Sequence, residues 1–363
     1  MEIKVNSSEL LRKITPLSLV VSKNQTLPVL ESVLFNCSTG RLSITASDFE
    51  TTSIIDVEAD VVERGGICVP ISIIINTIKT IKDQEIVIKS DEEFNVIIKT
   101  LGGEYKCHGY NPNDYPQTPS ISSSDNIVLD SETISNAIGK TIICVLNDQL
   151  RPAMNGIMFE FVNDVLNVVA TDAHRLASIT IQRELGDDAS FILPTKAARY
   201  IKETVQGSVT ISYGGNYVSF KSDNGTILAR VIDQRFPNYR AVLPQDNHVE
   251  VVVNRDAIVS AIKRSIIYAN ETTSCVSVNI NKENITIKSI DVDMARQAKD
   301  TISCECNTEE EQTISFNGKM LLEILGSIKD EKIKITMKEP KRASLIYGED
   351  MNLFYLLMPV LTQ

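Results

Sequence analysis

Residues 248–266, HVEVVVNRDAIVSAIKRSI, decide the fold. Val249, Val251 and Val253 alternate with their neighbours at the period of a half-buried strand. Asn254 then offers a side-chain oxygen to the orphan amides of a helix start. Ile258, Ala261, Ile262 and Ile266 follow at helical spacing. The same strand, cap and amphipathic helix occur twice upstream, in MEIKVNSSELLRKI from Met1 and NIVLDSETISNAIGKTI from Asn126. The cap candidates Ser8, Ser131 and Asn254 lie 123 residues apart each time, and a fixed long period marks an internally repeated architecture.

A second element repeats at nearly the same period. The runs beginning ICVP, FILP and TISF each read as a strand, a helix and a hairpin of alternating strands. Their markers Ile71, Thr195 and Asn317 are 124 and 122 residues apart, and Pro116, Pro237 and Pro359 close the units at offsets of 121 and 122. The expectation is an α+β chain of three like domains, 1–120, 126–245 and 248–363, each with two helices over two antiparallel sheets. The joints fall in QTPSISSSD (117–125) and LPQDNH (243–248), rich in loop-forming residues. Met320, Leu321, Ile324, Leu325 and Ile328 make a second apolar helix stripe. Tyr213-Gly-Gly-Asn216 and Asp223-Asn-Gly225 are hairpin-turn signals, and Pro16 should kink or restart the first helix.

Composition excludes several classes. An apolar content of 43% with 23% charged residues is that of an ordinary globular protein. The longest apolar runs, such as ISIII (71–75), are too short to cross a bilayer, and the N-terminus shows no signal peptide, so a cytoplasmic protein is expected. Seven scattered cysteines fit reduced thiols better than a disulfide framework. Cys304-Glu-Cys306 reads as two strand residues on one face; no metal site and no cofactor are expected.

The net charge of −11 argues against a nucleic-acid partner until its distribution is considered. The six inferred helices, 7–22, 71–82, 131–146, 195–205, 254–268 and 317–329, together carry +8, leaving −19 on the rest. Helices facing one way would form a positive wall. Its bases are diffuse, with neither aromatic platforms nor a base-reading motif, so any contact would be to phosphates and independent of sequence.

ATDAHRLA, Ala170–Ala177, packs Asp172, His174 and Arg175 together and invites an enzymatic reading, with Asp and His as a base–orienter pair. A nucleophile and a metal partner are missing, His108 and His248 sit in unrelated segments, and there is no Gly-rich phosphate loop. A non-enzymatic scaffold that binds only protein is the other rival; the acidic total favours it and the basic helices oppose it.

TLPVLESVLF (26–35), LRPAMNGIMFEF (150–161), VVATDAHRLA (168–177), VIDQRFPNYRAVLP (231–244) and YLLMPV (355–360) carry a more specific signal. On these segments the chain resembles the bacterial sliding-clamp family, the beta subunits of DNA polymerase III, over its whole length. The resemblance implies three tandem DNA-clamp domains and a head-to-tail homodimer closing a six-domain ring around double-stranded DNA, without catalysis. It implies as partners the DNA polymerase III catalytic subunit, the clamp-loader complex and other replication and repair polymerases, in a cytoplasmic, nucleoid-associated setting.

By that resemblance a partner-peptide pocket is formed by Met154, Thr171, His174, Arg175, Leu176, Pro237, Val242, Leu356, Met358 and Pro359, with His174 and Arg175 as polar rim. An apolar groove of this kind suits a short flexible segment rich in Leu, Phe and Gln, and methionine lets it accept several partners. The DNA-facing candidates are Lys79, Lys82, Lys140, Lys196, Arg199, Lys202, Lys263 and Arg264; Tyr105 of one protomer should meet Ile267 and Tyr268 of the other. The chain departs from the family at its end, MPVLTQ, and has Ala173 where glycine is common. Ala241 stands where arginine is frequent, Pro152 and Ala153 where aromatics occur, and Asn24 where a base is usual. ATDAHRLA has no counterpart in TASDFETTS (45–53) or KSIDVDMAR (288–296), as expected of a single docking site.

Overall fold

A computed structural model describes residues 1–21, 27–37, 41–121, 126–182 and 188–360. Asn24, Thr26, Ser122–Asp125 of the first joint and the terminal Leu361–Gln363 lie outside the described residues. The fold is α+β, with antiparallel sheets and, among the described residues, six α-helices in strand–helix order. The helices are α1 (Ser7–Ile14), α2 (Ile71–Lys79), α3 (Ser131–Thr141), α4 (Thr195–Thr204), α5 (Arg255–Ile266) and α6 (Gly318–Ser327).

Each first helix of a repeat begins directly on the residue that ends the preceding strand. Asn6 accepts from the Glu9 amide at 2.9 Å, Asp130 from the Thr133 amide at 2.9 Å and Asn254 from the Ala257 amide at 3.0 Å. These caps are 124 residues apart each time, so Asn6 and Asp130 replace Ser8 and Ser131 as the capping residues. The physical reason is the absence of a connecting loop: the last strand residue turns its polar side chain onto the new helix. α1 ends at Ile14 and continues as a 3₁₀ segment, Thr15–Leu19, with Pro16 near its start, as a missing amide requires. The helices bury their expected stripes: Ile258, Ala261 and Ile262 from α5, Leu321, Ile324 and Leu325 from α6.

The chain forms two compact units, Met1–Asn136 with Leu193–Ile232, and Ala137–Ile192 with Asp233–Gln363. The middle repeat contributes to both, because the sheets do not stop at repeat boundaries. In the first unit a five-stranded sheet runs Asp60–Glu63, Glu2–Asn6, Glu85–Ser90, Asn95–Lys99, Glu104–His108. Its eight-stranded partner joins four strands of the second repeat to four of the first, through Thr226–Ala229 against Thr51–Ile54. Gly225 makes that approach possible: its φ is +133° and a Cβ there would meet the Ile54 carbonyl at 2.2 Å. The second unit holds a twelve-stranded sheet in which Arg175–Gln182 pairs with Leu353–Leu357, with Leu176 opposite Leu356. Joining edges in this way gives unpaired strand amides and carbonyls a partner. It also brings ATDAHRLA beside YLLMPV.

Candidate functional site

The strand Val165–Thr171 and the strand Arg175–Gln182 meet in a turn organised by Asp172, which is buried. Asp172 Oδ1 accepts from the His174 and Arg175 amides at 2.9 and 2.8 Å, and Oδ2 accepts from Arg175 Nε at 2.9 Å. Thr171 Oγ1 donates to the Arg175 carbonyl at 2.8 Å and accepts from the Ala173 amide at 3.2 Å. Short Asp and Thr side chains stabilise turns by such local bonds. Ala173 holds φ at +74°, in the left-handed region that a Cβ disfavours and glycine tolerates.

Beside the turn lies a cavity of about 220 Å³. Eight of the ten expected pocket residues line it: Met154, Thr171, Arg175, Leu176, Pro237, Val242, Leu356 and Met358. Ala173, Asn238 and Tyr239 complete the wall. Its volume is below the roughly 300 Å³ at which small-molecule sites begin, and suits a few apolar side chains. Met154 reaches it from the 3₁₀ segment Pro152–Asn155, and Val242 from the 3₁₀ segment Tyr239–Val242. Tyr239 is fixed from behind: its hydroxyl donates to Glu160 Oε2 at 2.7 Å, and the Arg240 guanidinium lies 4.7 Å from its ring centroid while pairing with Glu160. Burial disfavours the Glu160 charge, but the Arg240 and Tyr239 hydrogen bonds outweigh it and lower its pKa.

His174 and Pro359 fall outside the lining. The His174 side chain is exposed, while its carbonyl accepts from the Met358 amide at 2.8 Å. The Val360 amide donates to the Ser315 carbonyl at 2.8 Å, so the terminal segment is held on both sides of Pro359. The expected rim pair therefore separates: His174 contributes its backbone, and Arg175 is turned inward with its side chain only 10% exposed. Ala173, Asn238 and Tyr239 lie outside the ten residues the resemblance implies, although Asn238 and Tyr239 stand in RFPNYRAVLP between Pro237 and Val242.

The basic candidates divide by their partners. Lys79, Lys82, Arg199, Lys202 and Lys263 are exposed. Lys82 lies past the end of α2, and Lys202 pairs with Glu203 at 3.3 Å. Lys140 instead donates to the Ser327 carbonyl at the end of α6, and burial lowers its pKa. Lys196 bonds the Val20 carbonyl at 2.8 Å and pairs with Asp48. Arg264 Nε donates to Asp300 at 2.6 Å. Over their observed extents the six helices carry +6 and the remainder of the chain −17, so the segregation persists with shorter helices. Tyr105, Ile267 and Tyr268 expose 44%, 68% and 44% of their surface. Among the described residues no group of three or more His, Cys, Asp or Glu could hold a metal, and no helix is long and apolar enough to cross a membrane.

Comparison with known proteins covers nearly the whole chain. Residues 1–119, 128–238 and 240–361 match the N-terminal, central and C-terminal domain models of the DNA polymerase III beta subunit. The beta sliding clamp of Pseudomonas aeruginosa is 26% identical over 99% of this chain and 100% of its own length. That of Haemophilus influenzae is 25% identical over 99% of this chain and 100% of its own. The crystal structure of the P. aeruginosa DNA polymerase III subunit beta superposes over 100% of both chains with a TM-score of 0.95 at 25% identity. A second P. aeruginosa structure, bound to griselimycin, gives a TM-score of 0.94 over 100% of both chains, again at 25% identity. With all three domain models matched in order along its length, the chain belongs to the DNA polymerase III beta-subunit family.

Proposed function

We propose that this protein is a DNA sliding clamp that encircles duplex DNA without reading its sequence and tethers a replicative polymerase to it. Its three repeats, 1–120, 126–245 and 248–363, act as clamp domains, and two chains join head to tail into a six-domain ring. The observation that carries the reading is the charge map: helices at +6 in a chain that is otherwise −17. Diffuse cations give weak phosphate contacts that a sliding ring needs, and retention comes from topology rather than affinity.

Two strand edges suit the ring contact. Glu104–His108 ends the five-stranded sheet. Among the described residues, the strand Arg296–Cys306 pairs with Val249–Asn254 only at Cys304–Cys306, while Arg296–Ser303 pairs along Asn284–Asp291. Edge-to-edge addition would bring Tyr105 of one copy toward Ile267 and Tyr268 of the other and cover all three. The cavity at Leu176 and Met358 would take the apolar side chains of a partner segment, from the polymerase catalytic subunit, the clamp loader or repair polymerases. The clamp itself performs no catalysis and works in the cytoplasm on the nucleoid.

Loading on nicked circular DNA with a clamp loader tests the proposal. The bound protein should stay on closed circles and leave once the circle is cut; equal retention on linear and circular DNA would sink it.

A further inference from the structure

We propose that Glu323 of α6 is a positioning residue for the cavity: through Arg175 it fixes the Thr171–Leu176 turn and thereby sets the affinity for partner segments. This inference rests on the reading of the cavity as a partner-peptide site.

Arg175 is the charged residue of the cavity wall. Its guanidinium is nearly enclosed and lies between two carboxylates, with Asp172 Oδ2 at 2.9 Å from Nε and Glu323 Oε2 at 2.6 Å from Nη1. A buried cation needs both charge and hydrogen-bond partners, or it leaves its site. Asp172 cannot serve it alone, because its Oδ1 is already occupied by the His174 and Arg175 amides. The buried Cys144 thiol nearby supplies no counter-charge, since burial pushes its pKa up and keeps it protonated. Glu323 supplies the second carboxylate. Burial opposes the Arg175 charge, and the Glu323 hydrogen bond leads the contributions that restore it.

The consequence reaches the cavity along a continuous set of bonds. Glu323 holds Arg175, which bonds Asp172; Asp172 holds the His174 amide, and the His174 carbonyl holds the Met358 amide. Arg175 and Met358 both line the cavity. Glu323 does not line it and its side chain is 55% exposed, so its effect on binding passes through Arg175.

The test uses the full chain and a fluorescein-labelled peptide of Gln, Leu and Phe residues, read by anisotropy. Hydrogen exchange of the free protein is followed in parallel. Glu323→Ala should weaken the peptide about tenfold, the scale of one hydrogen bond to a buried charge. It should also speed exchange at residues 172–176 and 358 and leave exchange elsewhere unchanged. Glu323→Gln, which keeps an acceptor and the volume, should recover part of both losses. A purely stabilising residue would speed exchange across the unit instead. Peptide affinity within about twofold of wild type and unchanged exchange in Glu323→Ala overturn the inference. If that variant fails to fold, Glu323→Gln decides by the same two readings. Failure of the wild-type protein to bind the peptide would overturn the peptide reading, and exchange alone would then judge the anchor.

Discussion

Tyr239 shows how one residue can be missed although its neighbours are chosen. Pro237 and Val242 are legible in RFPNYRAVLP because apolar side chains suit an apolar wall. A tyrosine reads as wall only once its hydroxyl has a partner, and Glu160 lies 79 residues away in the chain. His174 and Arg175 carry the complementary lesson: adjacent in sequence, they part because the Arg175 guanidinium bonds Asp172 and also Glu323, 148 residues distant, while the His174 side chain stays exposed. The Glu160 cluster carries a prediction in pH. The folded-state pKa of Glu160 lies below its ordinary value of 4.5, so its ionised form is favoured by folding. The stability it supplies is complete above that ordinary value and is lost as pH falls through the lowered folded one. Glu160→Gln should therefore be less stable than wild type at neutral pH, with the gap narrowing in acid. Urea unfolding across that range checks it; a gap that stays constant or widens in acid would show that the carboxylate charge is not what holds Tyr239.

Helix existence and period are legible because apolar spacing and polar caps are local properties, whereas the cap position is one or two residues less certain. In α1 and α3 the strand runs into its own cap, so the polar residue that matters is Asn6 or Asp130 rather than the following serine. Replacing Asn6, Asp130 or Asn254 by Ala should each cost about 1 kcal/mol. Ser8→Ala and Ser131→Ala should fall within roughly 0.5 kcal/mol of wild type. Equilibrium unfolding of the five variants checks this, and equal losses at the serines and the caps would undo the assignment. Which strands join the sheets is not legible in the residues themselves. Thr51–Ile54 and Thr226–Ala229 pair across most of two repeats, and edge pairing at that separation leaves no periodic trace in either strand.

At the scale of the whole molecule, composition alone misleads, because a chain at −11 looks unfit for DNA until its helices are counted separately. Charge counting in turn overstates the free cationic surface of the helices, because it cannot see ion pairs and hydrogen bonds. Lys140 and Lys196 are bonded to backbone carbonyls of their own unit, and burial already disfavours the Lys140 charge. Arg199 and Lys263 are exposed on α4 and α5. Nonspecific affinity for duplex DNA falls with salt in proportion to the phosphates neutralised, at about 0.9 in logarithmic slope for each. Arg199→Ala with Lys263→Ala should thus flatten the salt dependence of DNA binding by about 0.9 for every phosphate left unneutralised, while leaving thermal stability near that of wild type. Lys140→Ala and Lys196→Ala should do the reverse: the carbonyls they serve lose a donor, so the unfolding midpoint drops and the salt slope holds. Titrations of duplex binding against salt, paired with thermal unfolding of the same four substitutions, separate the two groups. A slope flattened as much by Lys140→Ala and Lys196→Ala as by the exposed pair would mean that these lysines leave their carbonyls when DNA enters, and that partnering in the free protein does not identify the wall.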